Sequence, residues 1–208
     1  MKHIAESTVR RLSLYLRFLE DFEAQGHPTI SSGELAAQGG TTSAQVRKDL
    51  SLFGSFGKRG LGYSVADLSH SLRKILGLGR QWSVFIVGAG KIGAALAQYR
   101  GFRERGFRVV AIYDVDPART GRAIGDLVVR DQREMESDIA QLRPEIALLA
   151  VPPEAAQALV DRVVKSGLRA ILNFAPAPIH VPPHVTLRSV NMAFELEILS
   201  YALVHGER

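Results

Sequence analysis

The chain has 208 residues, no cysteine and a formal net charge of +5, and 46% of its residues are hydrophobic. This composition supports a packed core and excludes a disordered chain, a disulfide framework, a thiolate metal site and a cysteine nucleophile. Charged residues interrupt the apolar N-terminal segment and no uncharged stretch reaches membrane-spanning length, so we expect a soluble cytoplasmic protein without a signal peptide or membrane partner.

The basic excess is concentrated in residues 41–80, which contain seven lysines and arginines against two aspartates. A local basic excess is typical of a protein with an anionic partner, most often nucleic acid. An ordinary solvated basic surface is the alternative.

Two helices are predicted at the N-terminus. The first spans about Ser7–Glu23 and is apolar around much of its circumference, which favours burial on more than one side. The second begins at Ser31 or Ser32, where Glu34 has the spacing of a capping box, and ends before a glycine pair.

A third helix is predicted after Thr42, where Gln45 has the spacing of a second capping box. Val46, Leu50 and Phe53 share its apolar face. The opposite face is small and basic and consists of Arg47, Lys48 and Ser51, with Ala44 one turn earlier. Two short helices joined by a glycine turn indicate a helix-turn-helix whose second helix would lie in the DNA major groove. A helical hairpin with a solvated basic face is the alternative.

The segment after the third helix predicts a wing. Its glycines lie at positions 54, 57, 60 and 62, and Tyr63 and Val65 follow in alternation. This pattern favours a β-hairpin with Lys58 and Arg59 at its tip, where they could reach phosphates or a minor groove. A flexible basic loop is the alternative. An amphipathic helix with four inward apolar residues follows, namely Leu68, Leu72, Ile75 and Leu76, before a linker near residues 77–82.

The segment "VFIVGAGKIGAALA" predicts a dinucleotide site. A strand over 83–87 leads into Gly88, Gly90 and Gly93, and a strand over 108–114 ends in Asp114, 21 residues after Gly93. Gly88 allows the tight turn, Gly90 lets the backbone approach a pyrophosphate, and Gly93 lets the helix pack on the strand. The rest of this loop consists of Ala89, Lys91 and Ile92.

Asp114 would bind the adenine ribose hydroxyls. A 2′-phosphate would be repelled by Asp114 and Asp116, so the sequence favours NAD(H) over NADP(H). A similar fold that holds another nucleotide, such as coenzyme A or a flavin, is the alternative.

Strands and helices continue to alternate, which predicts an α/β fold with a Rossmann-like, doubly wound parallel sheet. Further strands are predicted over 126–131, 146–151, 169–174 and 185–190, with helices over 132–142 and 153–166. Ligands in such sheets lie at the carboxyl ends of the strands. The nicotinamide half is therefore expected beside Val151, Pro152, Asn173, Phe174, Ala175 and Pro176.

A last helix over 192–204 has two apolar stripes, which one neighbour would not cover. We interpret it as a subunit interface that is exchanged between two copies of the chain. A helix buried in its own domain is the alternative. The predicted domains are residues 1–80, a winged-helix DNA-binding domain, residues 81–190, the NAD(H)-binding domain, and residues 191–208, the interface helix.

The sequence does not favour an enzyme. Only 34 residues follow Phe174, too few for a substrate domain, and His180 and His184 lie in a proline-rich loop that is a poor metal site. We expect neither catalytic residues nor a metal, and the nucleotide would act as an effector that controls DNA binding. A small NAD-dependent reductase and a subunit that binds coenzyme A or another nucleotide, with an N-terminal module that binds protein, are the alternatives.

Four motifs occur in the order "QVRKDLSLFGSFGKRGLGY", "FIVGAGKIGAALAQY", "YDVDP" and "LNFAP". In this order they resemble the Rex family of redox-sensing transcriptional repressors over essentially the whole chain. The resemblance implies a homodimer that binds a palindromic operator when NADH is low. It also implies that NADH closes the dimer and releases the DNA, while NAD+ competes for the site.

The resemblance also implies roles for single residues. Arg47, Lys48 and their neighbours Ser43, Ala44, Gln45 and Ser51 would contact DNA, and Lys58 and Arg59 would belong to the wing. Tyr99 matches a tyrosine near the nicotinamide, and Arg17 matches an arginine that pairs with a partner aspartate. Asn191-Met192 stands where the family usually has Asp and an apolar residue. Asn191 cannot form that ion pair with Arg17, and a neutral hydrogen bond is weaker.

Overall fold

The computed structural model describes residues 4–57 and 61–206, and the chain divides into two compact units, one ending at Arg80 and the other beginning at Gln81. The first unit contains α1 (Glu6–Ala24), β1 (Thr29–Ile30), α2 (Ser32–Gln38), α3 (Ser43–Ser51), β2 (Tyr63–Ser64) and α4 (Val65–Ile75). Within the described residues, no helix combines the length and the hydropathy needed to cross a membrane.

One face of α1 forms the centre of the first core. Leu12, Leu16 and Leu19 are fully buried on this face and pack against apolar residues of α2, α3 and α4. Val9 and Leu14 of the same helix remain about two-fifths exposed. Tyr15 is also fully buried, and Phe22 packs, partly buried, against the same core. Burial of a further side of α1 by a partner stays a prediction.

The hairpin expected after α3 is described only in part, because its tip lies in residues 58–60. Tyr63–Ser64, on the far side of the tip, pairs antiparallel with Thr29–Ile30, which precedes α2. Val65, expected in the strand, is the first residue of α4, because the Ser64 hydroxyl caps this helix by accepting the Asp67 N–H. The tip residues Lys58 and Arg59 lie outside the described residues.

The second unit begins with β3 (Trp82–Val87), α5 (Lys91–Ala97), α6 (Arg100–Glu104), β4 (Phe107–Asp114), β5 (Ala123–Ile124) and β6 (Leu127–Asp131). A 3₁₀ turn (Gln132–Glu134) leads into α7 (Met135–Leu142), β7 (Ile146–Leu149), α8 (Pro153–Lys165), β8 (Ala170–Asn173), β9 (Thr186–Ser189) and α9 (Met192–His205).

Its seven strands form one sheet in the order β5-β6-β4-β3-β7-β8-β9. All neighbouring pairs are parallel except β5 with β6. In chain order, the six parallel strands are arranged third, second, first, fourth, fifth and sixth, which is the Rossmann order. Apolar clusters cover both faces of the central strands, as a parallel sheet requires. The predicted doubly wound fold is confirmed.

The last helix, α9, has no buried residue. Its large apolar side chains are more than half exposed; they are Met192, Phe194, Leu196, Ile198, Leu199, Tyr201, Leu203 and Val204. The alternative of a terminal helix buried in its own domain is therefore wrong for this chain. A contiguous apolar surface of this kind is typical of a protein interface.

Candidate functional site

The carboxyl ends of five strands meet along one edge of the sheet. Val87 of β3 is in register with Tyr113 of β4 and with Leu149 of β7. The row continues through Asn173 of β8 to Ser189 of β9. The chain leaves β3 toward β4 on one side and later returns to β7 on the other, so the loop after β3 lies at the topological switch point, where such sheets bind ligands.

The three glycines of this loop have different surroundings. A Cβ at Gly88 would overlap the Ala150 carbonyl, and one at Gly93 would overlap the Gly88 carbonyl. A Cβ at Gly90 would meet nothing closer than an Arg119 nitrogen at 3.9 Å. Two glycines thus allow close packing within the protein, whereas Gly90 leaves open space beside its backbone, as a site for a pyrophosphate requires.

Asp114 ends β4 beside this loop and is 4% exposed. Its Oδ2 accepts the Ala89 N–H at 2.7 Å, and its Oδ1 accepts the Asp116 N–H at 2.9 Å. Burial by itself would raise the pKa of Asp114, but the hydrogen bonds from these two N–H groups and from Arg119 lower it below its ordinary value. The carboxylate is therefore ionised, and it holds the glycine loop against the end of β4.

Arg119 is a part of this site that the sequence analysis missed. One guanidinium nitrogen lies 3.1 Å from Asp114 Oδ2, and Nε lies 3.4 Å from Asp116 Oδ2. The only sequence signal is an arginine five residues after the acidic end of a strand. Arg119 places a cation between the Asp114 carboxylate and the open side of Gly90.

The two loops expected near a nicotinamide lie side by side, because the Phe174 N–H donates to the Leu149 carbonyl at 2.8 Å. Val151 and Phe174 are partly buried, and Pro152 and Pro176 are exposed. Lys91 and Ile92, at the start of α5, are also exposed.

The side chain of Asn173 is fully buried and is used within its own loop. Its amide donates to the Ala175 carbonyl and accepts the Ala175 N–H, both at 2.9 Å. Its amide also donates to the Ser189 hydroxyl of β9 at 3.3 Å, so Asn173 shapes this loop, in which Ala175 is buried and Pro176 is exposed.

The first unit contains the predicted helix pair. The Ser31 hydroxyl accepts the Glu34 N–H at 3.1 Å, and the Glu34 carboxylate accepts the Ser31 N–H at 2.7 Å, which confirms the first capping box. The second box is only half formed. Thr42 accepts the Gln45 N–H at 3.1 Å, but the Gln45 side chain donates to Asp49 instead of returning to Thr42.

The candidate DNA contacts that the structure describes lie on an accessible side of α3. Arg47, Lys48, Ala44 and Ser51 are exposed, and Ser43 and Gln45 are partly exposed. Arg47 donates to the Ser32 hydroxyl at 3.0 Å, so its guanidinium is held beside the start of α2. Val46 and Leu50 are buried on the opposite face, as predicted.

The residues assigned to the switch lie at element ends or on the surface. Arg17 is exposed on α1. Tyr99 lies between α5, which ends at Ala97, and α6, with its ring 5.2 Å from that of Phe102. Asn191 caps α9 by accepting the Ala193 N–H at 3.0 Å, and Met192 begins that helix.

Both units are similar to known protein families. Residues 3–51 match a family described as "Putative DNA-binding protein N-terminus", and residues 79–177 match a family described as "CoA binding domain". The chain is 48% identical to the redox-sensing transcriptional repressor Rex of Pelotomaculum thermopropionicum, over 98% of this chain and 96% of that protein. It is 46% identical to the protein of the same name from Streptomyces coelicolor, over 95% of this chain and 77% of the relative.

Solved structures of a protein called RSP are also similar to this chain. A crystal structure of RSP in complex with β-NAD+ and operator DNA matches with a TM-score of 0.94 at 38% identity, over 100% of this chain and 95% of RSP. A structure of RSP in complex with β-NADH matches with a TM-score of 0.91 at 37% identity, over 100% and 97% of the two chains. RSP is described as a Rex-family repressor. The chain belongs to the Rex family of redox-sensing transcriptional repressors.

Proposed function

We propose that this chain represses transcription by binding operator DNA through its first unit and senses the NADH/NAD+ ratio through its second. The observation that carries this proposal is the open backbone at Gly90 beside the buried carboxylate of Asp114, in a chain whose other unit presents a basic helix-turn-helix. A nucleotide site joined to a DNA-binding helix pair makes a regulator rather than an enzyme, as the names of the relatives support.

The residues at the sheet edge fit a dinucleotide. Gly90 and the start of α5 would hold the pyrophosphate, Asp114 would hold the adenine ribose, and the loops at Val151-Pro152 and Ala175-Pro176 would flank the nicotinamide. When bound, the nucleotide would supply binding free energy that differs between two conformations of the protein, and no hydride transfer is required. The complexes of RSP with β-NADH and β-NAD+ favour this ligand over coenzyme A.

The exposed apolar side chains of α9 support a homodimer in which this helix packs on the partner subunit. A two-fold dimer would read a palindrome whose half-sites lie about one helical turn, or a multiple of it, apart. We also propose that the protein acts in the cytoplasm, where both DNA and the nucleotide pool are available, and that it uses no metal. Within the described ranges, no three histidines and carboxylates gather into a metal site.

The coupling between the sites follows from linkage. NADH can release the operator only if it binds the released conformation more tightly than the DNA-bound one. DNA must then weaken NADH binding by the same factor, and typical couplings are about 5- to 150-fold.

The division of labour between the units is tested by replacing Arg47 and Lys48 with alanine. We expect operator binding to be lost or strongly weakened and its salt dependence to fall, by about 0.9 in log–log slope for each phosphate contact removed. NADH affinity, measured by fluorescence titration, should be unchanged.

The matched control replaces Arg103 and Lys165, two exposed cations of the second unit, with alanine. This control removes the same charge and should leave operator binding near its original value. Equal loss of DNA and NADH binding in the Arg47 and Lys48 variant would contradict the modular assignment.

A further inference from the structure

The recognition helix α3 contains a charged residue that faces the interior of the first unit. Asp49 is 1% exposed, although its neighbours Arg47 and Lys48 are exposed. A buried carboxylate is costly unless it is fully hydrogen-bonded, so its contacts must offset that cost. Neither the candidate phosphate contacts nor the glycine-loop site uses this group.

Four donors surround the Asp49 carboxylate. Arg11 of α1 donates from Nε to Oδ2 at 2.6 Å and from a terminal nitrogen to Oδ1 at 2.8 Å. The Tyr15 hydroxyl donates to Oδ2 at 3.1 Å, and the Gln45 amide donates to Oδ1 at 2.8 Å. An ionised carboxylate offers about four acceptor positions, so this set saturates it.

The Gln45 contact differs from the other three because its donor belongs to α3 itself, whereas the other donors belong to α1. Gln45 is the third residue of the helix and is partly exposed. The first residues of a recognition helix are those that contact base edges in the major groove. Asp49 therefore links two residues of α1 to Gln45, which lies in the first turn of α3, where base contacts are expected.

The hydrogen bond also determines which way the Gln45 amide points. The amide oxygen cannot face the carboxylate, so the nitrogen must, and one of its two N–H groups is used there. Among the described residues, no donor reaches the Gln45 Oε1. The second N–H and Oε1 remain as an adjacent donor and acceptor, the pair that matches adenine N6 and N7 in the major groove.

Resting on the proposed function, we propose that Asp49 is a positioning residue that orients the Gln45 amide so that α3 reads an adenine through it. Lys48 carries a compact charge suited to phosphate, and such contacts position a protein without specifying sequence. Gln45 would specify the base. Arg11 and Tyr15, which belong to α1, would hold the Asp49 carboxylate in place.

The first step of the test selects binding sites from a random double-stranded DNA library with the wild-type protein. Recovery of a palindromic motif establishes specific binding; a library that yields no motif would contradict the proposed function itself, before the roles of Gln45 and Asp49 are examined. Duplexes with each base pair of the motif replaced are then titrated by fluorescence anisotropy. Gln45→Ala should lose preference at one A·T position in each half-site, by roughly 5- to 150-fold in relative affinity, the range typical of a bidentate base contact.

Asp49→Asn should flatten the preference at the same position as Gln45→Ala. The double variant Arg11→Met with Asp49→Leu provides a second route, because a buried ion pair replaced by apolar residues of similar size usually leaves a protein folded. Tyr15→Phe is the matched control, since it removes a hydrogen bond to Oδ2 and leaves the Gln45 bond to Oδ1 intact. This control should keep the full preference.

A purely structural Asp49 would weaken binding to all duplexes equally and leave the base preference unchanged. Full preference retained in Asp49→Asn or in the double variant would overturn the positioning role. Gln45→Ala with unchanged preference at every position, or with its loss at a G·C position, would overturn the reading of adenine by Gln45.

Discussion

At the scale of single residues, the three glycines of the loop are not required for the same reason. Gly88 has a φ of +99°, in the region that favours glycine, and a side chain at Gly88 or Gly93 would overlap a backbone carbonyl. Gly90 lacks both constraints, because its φ is −67° and the space beside it is open. At Gly90 neither the backbone conformation nor the packing requires glycine, so a bound ligand is the remaining reason for the absence of a side chain.

Gly90→Ala and Gly93→Ala should therefore fail in different ways. We expect Gly90→Ala to fold with an unfolding temperature near that of the wild type and to lose most of its NADH affinity, because the new methyl group would occupy the path of the pyrophosphate. Gly93→Ala should instead lower the unfolding temperature markedly, since its Cβ overlaps the Gly88 carbonyl. Calorimetry and fluorescence titration separate the two; undiminished NADH binding by Gly90→Ala would place the pyrophosphate elsewhere.

Asp114→Ala should weaken NADH binding by roughly 10- to 150-fold, which corresponds to about 1.5–3 kcal/mol for a hydrogen bond to a charged group. The loss combines the ribose contact with the anchoring of the Ala89 N–H. Asp126→Ala is the control, because Asp126 is an exposed partner of Arg103 outside the glycine loop. Isothermal titration of both variants gives the comparison, and equal affinities would contradict the ribose assignment.

Asp114 and Asp49 differ in how well their positions could be predicted from the sequence. Asp114 could be placed because its distance from the glycines is fixed by the length of a strand–helix–strand unit. Arg119 could not, because its contacts depend on how the loop after β4 folds back on Asp114, and the interior position of Asp49 could not, because it depends on where α1 packs. Asp49 pairs with Arg11 across 38 positions of the chain, and no local pattern records that contact.

At the scale of elements, the helices were predictable because their caps and apolar periods are local. The pairing of Tyr63–Ser64 with Thr29–Ile30 was not, because glycines and alternating residues predict a strand without naming its partner. The motif "LNFAP" also does not reveal that the Asn173 amide closes the turn at Ala175.

The contact between α1 and α3 should make the first unit sensitive to acid. Burial opposes ionisation of Asp49, but hydrogen bonds from Arg11, Gln45 and Tyr15 lower its pKa below the ordinary value. A depressed pKa stabilises the fold above the unfolded pKa, near 3.9, and this contribution is lost as the pH falls through the folded value. Urea unfolding of the wild type between pH 7 and pH 3 should show this loss.

Arg11→Met should destabilise the first unit by about 3–5 kcal/mol, because it leaves the buried charge of Asp49 without its main partner. Because removal of the guanidinium raises the pKa of Asp49 in the folded state, the stability of this variant should fall less than that of the wild type as the pH is lowered. The double variant with Asp49→Leu is the control; it keeps the other carboxylates with lowered pKa values, so it should lose stability in acid but less than the wild type does. A wild-type profile as flat as that of the double variant would contradict the account of the ion pair.

At the scale of the whole molecule, the exposed apolar surface of α9 requires a partner that the single chain does not provide. We expect a homodimer in sedimentation velocity. Leu199→Glu, which introduces a charge into this surface, should shift the protein toward monomer and weaken operator binding, because a monomer reads only one half-site. Glu195→Gln, on the same helix, is the control and should remain dimeric; a monomeric wild type would contradict the assignment of α9.

The departure at Asn191 bears on how strongly the two functions are coupled. Its side chain caps α9 through the Ala193 N–H, a role that asparagine and aspartate fill about equally well. Asn191→Asp should therefore leave the helix intact while restoring a charge that can pair with an arginine. We expect it to increase the factor by which NADH weakens operator binding; an unchanged factor would exclude residue 191 from the coupling.

The most direct test of the central claim is fluorescence anisotropy of operator DNA bound to this protein, titrated with NADH and, separately, with NAD+. We predict that NADH releases the DNA at concentrations where NAD+ releases much less, and that added NAD+ raises the NADH concentration required. Operator binding that changes with neither nucleotide would contradict the proposal that the protein senses the NADH/NAD+ ratio. The protein would then be a repressor controlled by another ligand.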